Sequence, residues 1–254
     1  MLKLKDFMSV IDEIAPLSIS YKMIEKGDYD NSGLIVECKE EINKILFSLD
    51  LSNETLKKAV ELGCDTIVTH HPAIYNPVKR LSINDDTAPI VNAIKNGINV
   101  ISMHLNLDMA KDGIDDSLAT ALGGKNLTVV EDIYNGLGYG KGFTVDDTFS
   151  SFIENAKSVL RVKNYFTYGN LNDKIKKVVS FCGGGSSSVL KYLGDADVIV
   201  ITDMPHHVIK EVLERGQKLL LITHYASEFY GFTKFYDYAK TFIPAVIFDD
   251  EKFL

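Results

Sequence analysis

A chain of 254 residues, 46% hydrophobic and 24% charged, can bury one large core or two smaller ones and lacks the polar bias of a disordered protein. Its formal net charge of -8 excludes a global basic footprint for nucleic acid. The three cysteines, Cys38, Cys64 and Cys182, form no CxxC and no disulfide framework, and no apolar run approaches the roughly 18 residues of a membrane span. The N-terminal stretch mixes acids with bases and does not read as a signal peptide. The expectation is a reduced, cytoplasmic protein.

Leu4, Phe7, Ile11 and Ile14 fall at helical spacing, and Pro16 ends that run. A turn-rich cluster at residues 29–33 leads into a predicted strand at Leu34, Ile35 and Val36. Residues 43–51 read as a second strand, with Asp50 near its end. Ser52 or Asn53 caps a helix through Glu61, which Gly63 terminates. Residues 65–69 are the next strand, so the order is β-α-β and a parallel pair is expected.

That strand runs into two adjacent histidines, His70 and His71, followed by Pro72. Neighbouring side chains of a strand point to opposite faces, so both rings reach one site only from the loop beyond it. Pro72, with no N–H to give a ladder, favours such a loop. A lone histidine is more often a satisfied polar residue than a ligand, but two at a strand end shift the balance towards metal.

A helix over residues 88–95 and a strand over 98–103 follow. His104 stands just past that strand and Asp108 four residues on, at the carboxyl edge where open α/β sheets bind ligands. A helix from Ile114 towards Leu122 stops at Gly123 and Gly124. Residues 126–145 suggest a hairpin, 148–160 a helix, and 164–168 and 174–182 strands. The glycine-serine turn at residues 183–188 runs into a helix at 189–193. It lacks the lysine of a Walker A loop, and a tight strand-to-helix turn is the plainer reading.

Strands at 197–202 and 218–223 flank a helix over 205–214, whose start carries His206 and His207, read as solvated or partner-facing. Beyond the second strand, His224 and Glu228 are at i and i+4, one above the other on a helical face. Such a pair is a two-point platform for a metal. A final strand covers 245–248. Thr69-His70, Thr202-Asp203 and Thr223-His224 close three strands alike, as two halves of similar βαβ build would.

Four stretches, YDNSGLIV, VTHHPAIY, MHLNLDMAKDGIDDSLA and THYASE, together resemble the Nif-three-like family, often labelled GTP cyclohydrolase I type 2 homologues. FCGGGSSS and DVIVITD also resemble family segments. The resemblance implies two similar three-layer α/β domains side by side with mixed sheets and a metal site in the cleft between them. Residues 1–125 would form the first domain, with 230–254 packing back on it, and 126–229 the second. It implies two divalent metal ions per chain, held by His70, His71, Asp108, His224 and Glu228, and a toroidal homohexamer. Departures are Tyr29 where Trp is usual, Leu105 for Thr and Thr223 for Gly; none removes a ligand.

Imidazole and carboxylate donors without thiolate suit Zn, Fe, Mn or Ni. Five ligands for two ions leave positions for water, as catalytic sites require, and His104 is the candidate general acid or base. The expected function is a metal-dependent hydrolase of a nucleotide or related purine, with GTP the named possibility. The alternatives are a metal-bearing regulatory or nucleic-acid-associated interaction protein, and a metal storage or delivery protein. Net acidity counts against bulk nucleic-acid binding, and no membrane partner is expected.

Overall fold

In the computed structural model the described residues are 1–27, 29–184 and 187–254. The chain divides into two compact units, Met1–Ala110 with Phe232–Asp249, and Lys111–Gly231 with Asp250–Leu254. Both are mixed α/β.

The first unit contains β1 (Leu2–Lys3), α1 (Leu4–Ile14), α2 (Leu17–Glu25), β2 (Gly33–Val36), β3 (Glu41–Ile42), β4 (Ile45–Ser48), α3 (Asn53–Glu61), β5 (Thr66–Thr69), α4 (Ala88–Lys95), β6 (Asn99–Ser102) and α5 (Leu105–Met109). The second contains α6 (Ile114–Ala121), β7 (Lys125–Tyr134), β8 (Leu137–Thr148), α7 (Phe149–Val159), β9 (Tyr165–Tyr168), β10 (Lys174–Ser180), a 3-10 helix (Ser187–Tyr192), β11 (Val198–Ile201), α8 (His206–Glu214) and β12 (Lys218–Ile222). Helix α9 (His224–Ala239) starts in the second unit; β13 (Ala245–Ile247) returns to the first sheet, and a 3-10 turn (Glu251–Phe253) ends the chain.

Helix α2 is absent from the sequence reading. Pro16 ends α1 but also stands at the N-cap of α2 with φ -57, where its missing N–H costs nothing. Ser52 caps α3 as expected, accepting from the Thr55 N–H at 3.0 Å.

The first sheet has the order β13-β4-β5-β6-β2, parallel except for β2. Every residue of β4, β5 and β6 is buried, as parallel strands covered on both faces require. Alternation divides them. Leu46, Ile67 and Val100 pack with Leu56, Ala59, Ile90 and Ala93 of α3 and α4. Phe47 points the other way, onto Phe232 and Phe235 of α9 at centroid distances of 6.0 and 5.7 Å. Truncating a residue as buried as Ile67 would cost roughly 2–5 kcal/mol.

The second sheet runs β7-β8-β10-β11-β12-β9, parallel through β10, β11 and β12 and antiparallel outside them. Val179, Ile199, Ile201 and Leu219 pack with Val189 of the 3-10 helix, with Leu193 just past it, and with Ile209 and Val212 of α8.

One device recurs in both units. Asp65, just before β5, accepts from the N–H groups of Asn43 (3.0 Å) and Lys44 (3.4 Å) at the entry to β4. Its own N–H donates to the Lys44 carbonyl, and its carbonyl accepts from Asn99. Asp197, just before β11, accepts from the N–H groups of Lys176 (2.7 Å) and Lys177 (2.9 Å) on β10. Its N–H donates to the Lys177 carbonyl, and its carbonyl accepts from Lys218. Among the described residues, no helix is long and apolar enough to cross a membrane.

Candidate metal centre

In the first unit the loop after β5 folds back at once. His70 and His71 both donate backbone N–H to the Leu49 carbonyl, at 3.1 and 2.9 Å. The Thr69 hydroxyl donates to the His71 carbonyl at 2.8 Å. This turn brings neighbouring rings to one side, with centroids 4.9 Å apart. His104, the N-cap residue of α5, brings a third ring, 5.4 Å from His70 and 6.0 Å from His71.

Each ring is held through Nδ1. That of His70, fully buried, meets the Met103 carbonyl at 2.8 Å; that of His71 meets Asp50 Oδ1 at 2.8 Å; that of His104 meets Asp30 Oδ1 at 2.7 Å. A carbonyl can only accept, so the His70 proton is on Nδ1 and Nε2 is the atom able to ligate. That Nε2 lies 3.4 Å from Asp108 Oδ1. Two electron-rich atoms facing each other in a buried site require a cation, proton or metal, between them. His70, His104 and Asp108 bring ligand atoms within 4.8 Å of one another.

Burial pushes the Asp30 carboxyl up, but hydrogen bonds from His104, Ser20 and Ser32 outweigh it and hold the group below its usual range. Asp30 therefore stays an anion beside the His104 ring.

The second unit holds the other pair. Thr223 caps α9, its hydroxyl accepting from the Ala226 N–H at 3.1 Å, and so starts the helix bearing both candidates. His224 Nε2 lies 2.9 Å from Glu228 Oε1, and Nδ1 lies 2.6 Å from Asp203 Oδ2. Gly183, the first glycine of the FCGGGSSS turn, sits at φ +64, and a Cβ there would be 2.9 Å from Glu228 Oε1. Its visible role is clearance for that carboxylate. Gly185 and Ser186 of the same turn lie outside the described residues. His206 and His207 are exposed at the start of α8.

The structure thus gathers His70, His71, His104 and Asp108 in one unit and pairs His224 with Glu228 in the other. The sequence reading missed Asp30, Asp50 and Asp203, the carboxylates that orient three of the rings. A positional signal was there. Asp50, His71, His104, Asp203 and His224 each stand two residues past a strand end, after β4, β5, β6, β11 and β12. The donor set fits a divalent metal, since outer oxygen acceptors fix the tautomer and aim of ligating histidines.

Similarity to known proteins extends across nearly the whole chain. The profile of Duf34/NIF3 (NGG1p interacting factor 3) matches residues 2–249. A Clostridium perfringens protein called GTP cyclohydrolase 1 type 2 homolog is 35% identical over 240 residues, covering 89% of this chain and 87% of that one. The yeast NGG1-interacting factor 3 is 30% identical over 229 residues, 79% of each chain. Among solved structures, reduced HcgD from Methanocaldococcus jannaschii superposes with a TM-score of 0.84 at 28% identity, covering 98% of each chain. A Bacillus cereus protein related to NIF3 shares the fold, with a TM-score of 0.86 at 21% identity over 98% of this chain and 97% of that one.

Proposed function

The chain belongs to the Duf34/NIF3 family, and from that premise we propose a metal-dependent hydrolase that acts on a nucleotide or related purine with two divalent ions. The residues that would hold them are His70, His71, Asp108, His224 and Glu228. Carrying this reading is one observation: every candidate imidazole is anchored at Nδ1 by an oxygen, and the Nε2 atoms of His70 and His224 face carboxylates at 3.4 and 2.9 Å.

Bound Zn, Fe, Mn or Ni would supply Lewis acidity and lower the pKa of a coordinated water. The protein supplies orientation and proton handling. Met103, Asp50 and Asp203 keep three rings in one tautomer, which spares the site reorganisation during reaction. His104 is the proposed acid or base. With Nδ1 held by Asp30 Oδ1, its Nε2 is the atom that would exchange a proton with a leaving group within ~3 Å or one water.

The relatives' name makes GTP the first substrate to try. Purified protein loaded with Zn, Mn, Fe or Ni is run against a nucleotide and phosphoester panel beside Asp108→Asn. Turnover that vanishes in the variant while the assembly stays intact supports the reading; equal rates in both sink it. Elemental analysis should approach two metals per chain, with His224→Ala and Asp108→Ala losing metal. A homohexamer is part of the proposal, and a monomer by light scattering at micromolar concentration would overturn that part. The yeast relative's name favours a second reading, a metal-bearing interaction protein, under which the metal is retained and no panel member turns over.

A further inference from the structure

Beside the histidine cluster stand two aromatic rings that hydrolysis as described does not use. Tyr29 and Tyr75 are 42% and 48% exposed, and their centroids lie 5.1 Å apart at an interplanar angle of 70°. Tyr75 is in turn edge-on to His104, 6.3 Å between centroids at 86°. All three belong to the first unit.

These rings do not lie on flexible loop tips. Asp30, next to Tyr29, is buried and accepts from Ser20, Ser32 and His104. The Asn31 side-chain amide donates to the carbonyl of Ile74, next to Tyr75, at 2.7 Å. The two loops are tied to each other and to the histidine cluster, yet both rings remain in water. Rings inclined at 70° make two walls of a corner. A flat ligand can stack on one wall and present its edge to the other, the two arrangements aromatic groups prefer. A fixed, exposed aromatic corner opening beside candidate ligands is what a small ringed molecule needs to be oriented for chemistry.

We propose that Tyr29 and Tyr75 form the binding corner for a planar nitrogen heterocycle of the substrate, while its reacting end faces the histidine cluster. The substrate class rests on the nucleotide reading above, but the inference concerns binding and not turnover. A purine satisfies it; a sugar phosphate or polyphosphate chain does not. Stacking one base on an aromatic side chain is worth roughly 5- to 150-fold in Kd.

The chain contains no tryptophan, so Tyr29→Trp places a single indole in the corner as a reporter. Titrated into this metal-loaded variant, guanosine and GTP should quench the indole emission saturably, whereas ribose 5-phosphate and inorganic tripolyphosphate should not. Adding Tyr75→Ala should weaken guanosine by at least about 5-fold, and Tyr75→Phe, which keeps the ring, should restore it to within about 2-fold. Quenching that is absent for every nucleoside up to millimolar, or unmoved by Tyr75→Ala in a variant whose Tm matches its parent's, overturns the proposal. The two readings fail separately. Quenching that survives in Asp108→Asn with no turnover anywhere leaves the corner standing without the hydrolase. Turnover with KM unchanged in Tyr29→Ala and Tyr75→Ala leaves the hydrolase without the corner.

Discussion

Asp203 accepts a hydrogen bond from His224 Nδ1 at 2.6 Å, reaching from two residues past β11 to two residues past the parallel strand beside it. Asp50 and His71 repeat that relationship across β4 and β5 at 2.8 Å. Asp203 adopts φ +30, a region that disfavours side chains and is costly unless its surroundings hold it. Two units thus aim a histidine in the same way.

It follows that Asp203→Asn and Asp50→Asn should weaken metal binding by roughly 10- to 100-fold without unfolding the protein. A competitive chelator titration measures this, with circular dichroism as the control. Unchanged affinity in both variants would show that the carboxylates do not orient ligating rings.

Gly183→Ala should be damaging twice over. Left-handed backbone disfavours any Cβ by about 1 kcal/mol, and this one would press on Glu228 Oε1. The expected result is a lowered Tm together with a reduced metal content. A loss of stability with full metal would confine the effect to the backbone.

A third expectation concerns pH. Asp115 is fully buried and accepts from the N–H groups of Gly140 (2.7 Å) and Cys182 (2.9 Å). Burial pushes its carboxyl up from 3.8 to about 6, against the pull of those two N–H groups and of Lys141. The folded chain therefore holds a proton at this site between about pH 4 and 6 that the unfolded chain has released. Its stabilising contribution is complete below about pH 4 and is lost as pH rises through 6, a span of about 3 kcal/mol. Asp115→Asn cannot titrate, so the stability of wild type minus that of the variant should fall by up to about 3 kcal/mol from pH 4 to pH 7 in urea denaturation. A constant gap would refute it.

Asp65→Ala and Asp197→Ala each strip the acceptor from two backbone N–H groups. Each should destabilise by about 1–3 kcal/mol, Asp65 more because it is the more deeply buried. Equilibrium denaturation tests the ranking, and a larger loss at Asp197 would contradict it.

The strands and the histidines at their ends were legible because a short apolar run that stops at a polar residue carries its own boundary. Ile67 and Val68 before His70, and Leu219 to Ile222 before His224, are of that kind. So was the i, i+4 pair on α9, since helical geometry alone aligns it. Asp30, Asp50 and Asp203 were not, because a carboxylate in a loop is ordinary until its distant partner is known; Asp30 and His104 are 74 residues apart. Helix α2 was hidden by the proline that opens it, and five-residue α5 is too short to show a period.

The clasps at Asp65 and Asp197 bear also on how the chain assembles. Parallel strands meet only after a long crossover has closed, so their pairing is slow and open to slippage. A slip of one residue would turn every side chain to the opposite face. Each aspartate accepts two successive N–H groups of the neighbouring strand at the end where β5 and β11 begin, and a displaced strand offers that carboxylate no matching pair. Misaligned sheets are thereby penalised while they are still loose, before their open edges can capture another chain. Asp65 lies at the opposite end of β5 from His70 and His71, and Asp197 at the opposite end of β11 from Asp203. Both hold the alignment on which the aim of those histidines and of His224 depends.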